Sequence, residues 1–203
     1  MSRKTLFARA LASLAVALLL ASCGGDTDSH ASAASGSGMP PASALPDCGS
    51  IAAATNGFVD GWSLSERSGP MRSDDEDNYG VECTWLSPRA QSDNPAEMIQ
   101  AASFGVMISV QSYTLTEPEV RSIGWVVDDP AVEDAGAFLV FPSGSLDFDK
   151  TLRVVGPQVV KDKVTVSLAQ TGVMVVNEID EGQPMTNRRA VDTALAVHRL
   201  IGR

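Results

Sequence analysis

Histidine, cysteine and aromatic residues are scarce in this chain of 203 residues, and that scarcity excludes several kinds of site. The two histidines are His30 and His198, and only His198 lies within a stretch patterned like a folded domain. A serine hydrolase needs a histidine base beside its nucleophile, and a zinc site needs several histidine or cysteine ligands. The chain also contains no Gly-x-Ser-x-Gly turn, glycine-rich phosphate loop or dinucleotide fingerprint. We therefore predict no catalytic residues, no metal site and no cofactor.

Positive charge is also in short supply. The chain has 15 Lys and Arg against 25 Asp and Glu, a formal net charge of −10. Three of the positive residues are Arg3, Lys4 and Arg9, and their removal by processing would leave −13. A protein without a basic surface cannot displace the counterions of a phosphate backbone, so nucleic acid is excluded as a partner.

The longest apolar run is short. It extends from Ala10 to Ala21 with Ser13 as its one interruption, whereas a membrane-spanning helix needs about 20 apolar residues. A basic start, a short apolar core and small residues at its end are typical of a secretory signal peptide. We predict that residues 1–22 are this signal.

The end of the run, Leu20-Ala21-Ser22-Cys23, resembles the bacterial lipobox. The resemblance implies that Cys23 is acylated through its sulfur and becomes the N-terminus after cleavage. The protein would then be exported and anchored to the outer face of the cytoplasmic membrane, because two or three acyl chains hold a protein there stably. The alternative is a secreted protein with a chance cysteine near its cleavage site.

A tether follows the lipidated cysteine. Residues 24–44 are almost all Gly, Ser, Ala, Asp, Thr and Pro, which bury too little apolar surface to offset the entropy of ordering. We therefore divide the chain into the signal at 1–22, a lipidated cysteine with a flexible tether at 23–44, and one globular domain at 45–203.

Two cysteines remain in the globular domain, Cys48 and Cys83. An even pair in an exported protein favours a disulfide, since the compartment is oxidising. The alternative is a two-cysteine metal site, for which the domain offers His198 as the one histidine ligand.

Apolar periodicity predicts an α+β domain. Every second residue is apolar in Val81–Trp85, Phe104–Val110 and Val164–Leu168, which is the pattern of strands with one buried face. Further strands are predicted at 137–141, 151–155 and 173–179, and short helices near 51–55 and 118–123. Residues 187–201 predict an amphipathic C-terminal helix with His198 on its apolar side. We expect a single domain with an antiparallel sheet and helices packed on one face.

The motifs Pro46-Asp47-Cys48 and Cys83-Thr84-Trp85 resemble those of actinobacterial cell-envelope lipoproteins that carry a domain of unknown function. That family combines a lipobox, a Ser/Gly/Pro-rich tether, a short helix, a Cys-x-Trp strand and an amphipathic C-terminal helix. The resemblance implies a location and a fold and carries no known reaction.

Acidic and aromatic residues supply the remaining candidate sites. The densest acidic cluster, Asp74–Asn78, fails the EF-hand spacing and is interpreted as a solvated loop. A carboxylate pair for glycoside hydrolysis stays open, because 25 acids offer many pairs. Trp85 is expected in the core, whereas Trp62 and Trp125 lie near loops and are candidates for binding a sugar or an apolar molecule.

Two functional hypotheses follow. The first is a lipid-anchored, non-enzymatic envelope protein that binds another envelope protein or an apolar envelope molecule, with the membrane as a partner through Cys23. The second is an envelope glycan hydrolase that uses an unrecognised carboxylate pair.

Overall fold

The computed structural model describes residues 38–71, 77–172 and 184–202, and its centre is one antiparallel sheet. In these ranges there are eight strands: β1 (Ser63–Leu64), β2 (Gly69–Pro70), β3 (Asn78–Leu86), β4 (Ser103–Gln111), β5 (Val126–Val127), β6 (Phe138–Val140), β7 (Gln158–Lys161) and β8 (Val164–Thr171). The sheet order is β1-β3-β4-β8-β7-β6-β5, and β2 also pairs with β3. Every pairing is antiparallel.

The described ranges also contain five α-helices: α1 (Cys48–Ala54), α2 (Pro95–Met98), α3 (Glu117–Ser122), α4 (Pro130–Asp134) and α5 (Asn187–His198). Helix α1 contacts β3 and α5, and α5 in turn contacts β7 and β8. These two helices cover one face of the sheet. The predicted α+β class, with an antiparallel sheet and an amphipathic C-terminal helix, is confirmed.

The core lies between that face and the helices. Cys83 on β3 stands opposite Val106 on β4, which stands opposite Leu168 on β8, and all three are buried. Their neighbours along each strand point to the other face, because side chains alternate along a strand. A smaller apolar cluster lies on that other face where α3 meets the far end of the sheet, and it contains Val120, Val126, Phe138, Val140 and Val160.

A disulfide joins Cys48, the first residue of α1, to Cys83 in the middle of β3, with 5.6 Å between their Cα atoms. The predicted pairing is thereby confirmed. Asp47 caps the same helix end, since its side chain accepts a hydrogen bond of 2.8 Å from the Ser50 amide. Helix α1 is thus held at its first turn by a cap and a covalent bond together.

The two ends of the domain meet. Met39 and Leu45 pack against the core, and the Tyr79 hydroxyl donates a hydrogen bond to the Pro40 carbonyl. The amide of Gly202 donates to the carbonyl of Ala44 at 3.1 Å. The packed chain therefore begins several residues before the boundary at residue 45 that composition indicates.

Some strands differ from the prediction. Residues 151–155 were expected to form a strand, but Thr151 makes one isolated bridge to Thr186 and the residues after it are irregular. The strand Gln158–Lys161 was not predicted, and it forms a tight hairpin with β8 in which Asp162 has a φ of 53°. The strand expected at 173–179 lies outside the described residues.

An ion pair between the buried Asp129 and the half-buried Arg188 links the far end of the sheet to α5. Asp129 caps α4 by accepting hydrogen bonds of 3.1 Å from the amides of Ala131 and Val132, and Arg188 donates to its other oxygen. The Arg188 guanidinium also stacks over the Phe148 ring, 4.0 Å from its centroid. Burial alone would raise the pKa of Asp129, but the hydrogen bonds from Arg188 and the two amides outweigh it and lower the pKa.

We expect Asp129→Asn to lower the free energy of unfolding at pH 7 by about 1.5–3 kcal/mol, because it removes the charge that Arg188 binds. A carboxyl with a lowered folded pKa stabilises the fold above its unfolded value of about 3.9, and that stability is lost as the pH falls towards the folded pKa. Urea titrations from pH 7 to pH 3 should show a smaller acid loss in the variant than in the unmodified domain.

The matched control for that experiment is Asp128→Asn. Asp128 is the adjacent acid, its side chain is 74% exposed, and it pairs with the exposed Arg121. We expect it to change stability by less than about 0.5 kcal/mol. If the Asp129 variant and the unmodified domain lost the same unfolding free energy between pH 7 and pH 3, the role assigned to the Asp129–Arg188 pair would be contradicted.

Candidate functional site

Two adjoining depressions flank the irregular segment Arg153–Gly156 where it runs beside the end of β8. The first, which we call the Gln170 pocket, has a volume of about 400 Å³ and is lined by residues 149–154 and 170–172. The second, the sheet-face groove, has a volume of about 440 Å³ and lies over the uncovered face of the sheet. Val154 and Thr171 line both, so the two depressions meet at these residues.

The wall of the Gln170 pocket is held in place by the start of α5. Backbone bonds join the Asn187 amide to the Lys150 carbonyl at 2.9 Å and the Leu152 amide to the Met185 carbonyl at 2.8 Å. The Asn187 side chain adds a bond of 2.8 Å to the carbonyl of Asp147. A chain without regular secondary structure is thereby fixed along its length, which gives the pocket a defined wall.

Gln170 is the unusual residue of this pocket. In the alternation of β8 it takes a core position opposite Phe104, and it is only 2% exposed. Its backbone amide donates to the Arg153 carbonyl at 3.0 Å, but neither its side-chain oxygen nor its side-chain nitrogen has a hydrogen-bond partner in the described structure. A buried amide left without partners costs about 1–3 kcal/mol on the scale of protein variants.

The sheet-face groove has a floor of small side chains. Most floor residues are small, namely Thr84, Ser103, Gly105, Ser167, Ala169 and Thr171, and the larger Glu82, Met107 and Gln158 also line the groove. One wall carries Val154 and Val155, which are 66% and 59% exposed. That wall can approach β8 because Gly156 has no side chain: a Cβ there would lie 1.9 Å from the Leu168 carbonyl oxygen. The groove is therefore a shallow trough with an apolar rim.

Carboxylates are sparse in both depressions. Among the residues that the structure describes, Glu82 is the one acid that lines the groove, and Asp149 is the one that lines the pocket. Glycoside hydrolysis requires two carboxyl groups facing each other across a distance of about 5–10 Å. The described lining of neither depression contains that pair.

His198 lies away from both depressions. It is the last residue of α5, and its Nε2 is 3.0 Å from the Val159 carbonyl oxygen on β7. Burial lowers the pKa of His198, more than the bond to Val159 raises it, so the ring is neutral at pH 7. This placement agrees with the packing role expected from its position on the apolar face of the helix.

The other predicted site residues are dispersed. Trp62 is half-buried, contacts Phe58 with ring centroids 5.5 Å apart, and immediately precedes β1 at one edge of the sheet. Trp125 is 42% exposed and immediately precedes β5 at the opposite edge. The two tryptophans are thus not brought together, and they line neither depression. Trp85 is buried, as expected.

Other predicted features fall outside the described ranges. These are the acylation site Cys23, the signal peptide and most of the acidic cluster at 74–78. Within the ranges that are described, no three His, Cys, Asp or Glu side chains are grouped so that they could hold a metal ion. The helices of those same ranges include none with the length and hydropathy to cross a bilayer.

No protein-family model, curated protein or solved structure matches the chain. The chemistry of the two depressions is therefore the basis for assigning a function.

Sequence reasoning missed Gln170, although a signal for it exists. Val164, Val166 and Leu168 occupy the core positions of the strand, and Gln170 is the next residue in that alternation. A polar side chain at a core position needs a partner or a function. The segment that forms the pocket wall carries no comparable signal, because tertiary hydrogen bonds to α5 position it.

We expect His198→Gln to lower the free energy of unfolding by about 1 kcal/mol and to leave function intact, because Gln can still donate to the Val159 carbonyl. The measurement is complementation of a deletion strain at permissive temperature, with protein abundance followed by immunoblot. A variant present at normal abundance that fails to complement would assign His198 a chemical role.

Proposed function

We propose that the protein is a lipid-anchored cell-envelope protein whose folded domain is a non-enzymatic binding module. It would be held to the outer face of the cytoplasmic membrane by acyl chains on Cys23. Its domain would bind an apolar envelope molecule or a segment of another envelope protein. The similarity of Pro46-Asp47-Cys48 and Cys83-Thr84-Trp85 to actinobacterial envelope lipoproteins supports the same assignment.

The observation that carries the binding role is the pair of adjoining depressions around Arg153–Gly156. They combine an apolar rim, a floor of mostly small side chains and a buried amide without partners, and the described lining of each contains one carboxylate. Such surfaces favour burial of a ligand over general acid–base chemistry on it. Exposed valines beside a concave surface are a specific reason to expect a ligand, because apolar contact there would remove them from water.

Charge supports anchoring through the lipid. The net charge of −10 becomes −13 without the signal peptide, so anionic headgroups would repel the domain. The Gly/Ser/Ala-rich tether at residues 24–44 would have a root-mean-square reach of about 25 Å. The domain would therefore be held near the membrane and remain free to meet partners in the envelope.

The anchoring proposal is tested with Cys23→Ala. We expect a clickable fatty acid fed to the host to label the unmodified protein and not the variant, because position 23 holds the thiol next to the cleavage site. The variant should also leave the membrane fraction or keep its signal peptide. Fatty-acid label that persists on Cys23→Ala would contradict lipidation at this residue.

The binding proposal is tested with Val155→Asp. The domain is purified from its own host, and native mass spectrometry measures any retained ligand. We expect the unmodified domain to retain a species and the variant to retain at least about tenfold less, because a desolvated carboxylate on the groove wall opposes apolar burial.

Ile99→Asp is the matched control. Ile99 is a branched aliphatic residue that is 61% exposed, close to the 59% of Val155, and it lines neither depression. We expect this variant to retain the ligand at the unmodified level, with both variants equally folded by circular dichroism. Absence of a retained species, or equal loss in both variants, would contradict a binding role for the groove.

A further inference from the structure

We propose that the Gln170 pocket recognises an amide, specifically a group whose N–H donor and C=O acceptor point to the same side. This inference rests on the proposed binding role and adds the chemistry of the ligand. Two kinds of molecule offer that arrangement: a primary carboxamide, and a residue in an extended peptide, whose own N–H and C=O face one neighbouring strand.

The side chain of Gln170 has unmet hydrogen-bonding capacity. A primary amide offers two donor hydrogens and an acceptor oxygen, and here its nitrogen and its oxygen both lack partners. Such a group inside a protein is a reason to look for an unobserved partner. A ligand with an N–H and a C=O on one side would form two parallel hydrogen bonds with Gln170. Its N–H would donate to the Gln170 oxygen, and its carbonyl would accept from the Gln170 nitrogen.

Gln170 lies in the wall of the pocket. It lines a depression of about 400 Å³ and is joined to the opposing wall through the bond from its amide to the Arg153 carbonyl. Its side-chain amide is covered from solvent in the described structure. Gln170 lines the depression, so a ligand would reach its amide through a change of χ1 or χ2 between staggered rotamers, and the hydrogen bonds gained would offset the cost of that change.

The lining of the pocket combines apolar side chains with charges of both signs. Leu152 is buried and Val154 is exposed, which gives the pocket an apolar part. Asp149, Lys150 and Arg153 are exposed charges of both signs at its edge. A mixed rim of this kind has no preference for an anion or a cation, so it suits a neutral amide. Hydrogen bonds formed in the buried part are stronger than in water because the local dielectric is low.

The test follows the side-chain amide resonances of Gln170 by two-dimensional proton–nitrogen NMR of the folded domain, assigned by their disappearance in Gln170→Met. Propionamide supplies a primary carboxamide, and the blocked dipeptide Ac-Ala-Ala-NHMe supplies an extended backbone. Methyl propionate lacks the donor and is the negative probe. We expect one of the two amides to shift the Gln170 resonances saturably at millimolar concentration, and methyl propionate not to shift them.

The resonances of Gln100 are the internal control. Gln100 is exposed, bonds to Arg89 at 2.8 Å and lines neither depression, so its signal should not follow the probes. The probe that shifts Gln170 identifies the source of the amide, either a carboxamide group or a peptide backbone. Equal shifts of Gln100 and Gln170 would mean nonspecific contact and would overturn the proposal.

The variant separates recognition from a structural role. Met has a similar length and no unmet hydrogen bonds, so Gln170→Met should keep or raise the melting temperature. The same variant should bind the effective amide at least about tenfold more weakly, as judged from shifts of backbone resonances around the pocket. A lower melting temperature with no probe response in the unmodified domain would instead indicate an amide satisfied by internal water.

Failure of this inference can be told from failure of the proposed function. If no amide probe shifts Gln170 and the Val155→Asp variant still loses the retained species, the domain is a binding module and Gln170 does not recognise amides. If the domain retains nothing and no probe binds, both proposals are wrong.

Discussion

The covalent bond between Cys48 and Cys83 is the constraint on which the arrangement of layers depends. Helix α1 has seven residues, and an isolated helix of that length is not stable in water. The disulfide fixes its first turn against the centre of β3, across 35 residues of sequence. Closing a loop of that size reduces the entropy of the unfolded chain by the equivalent of about 3–4 kcal/mol. Helix α5 rests partly on α1, so the cover of the core depends on the same bond.

The two faces of the sheet carry different side chains, and as a result one face is covered and the other is open. The covered face is built from large apolar residues, and it excludes water wherever α1 and α5 lie over it. The opposite face carries small and polar side chains around Gly105 and Ser167, which leave room for a trough. Segment Arg153–Gly156 crosses the boundary between these environments. The two depressions therefore lie where the sheet passes from its covered face to its open face.

Local patterns predict most of the central sheet and little of the candidate site. Apolar and polar residues alternate along β3, β4 and β8, and α5 has a capping residue and an apolar stripe. Each of these elements can therefore be predicted from its own sequence. Strand propensity at 151–155 was misleading because that segment finds its partners at the start of α5. Gln158–Lys161 was missed because its hairpin turn contains Asp162 in a left-handed conformation, where glycine would be the usual signal. The Gln170 pocket depends on contacts between distant segments, which periodicity does not encode.

The bond between the Gly202 amide and the Ala44 carbonyl brings the first and the last described segments of the domain together. Chain ends that lie together permit the domain to be inserted as a unit into a loop of another protein. The proximity of the two ends also determines which contacts a mechanical force would break first. A pull applied between the two ends would load the packing of Met39 and the bond from Tyr79 to Pro40 on one side and the Gly202 bond on the other, before it stretched the sheet.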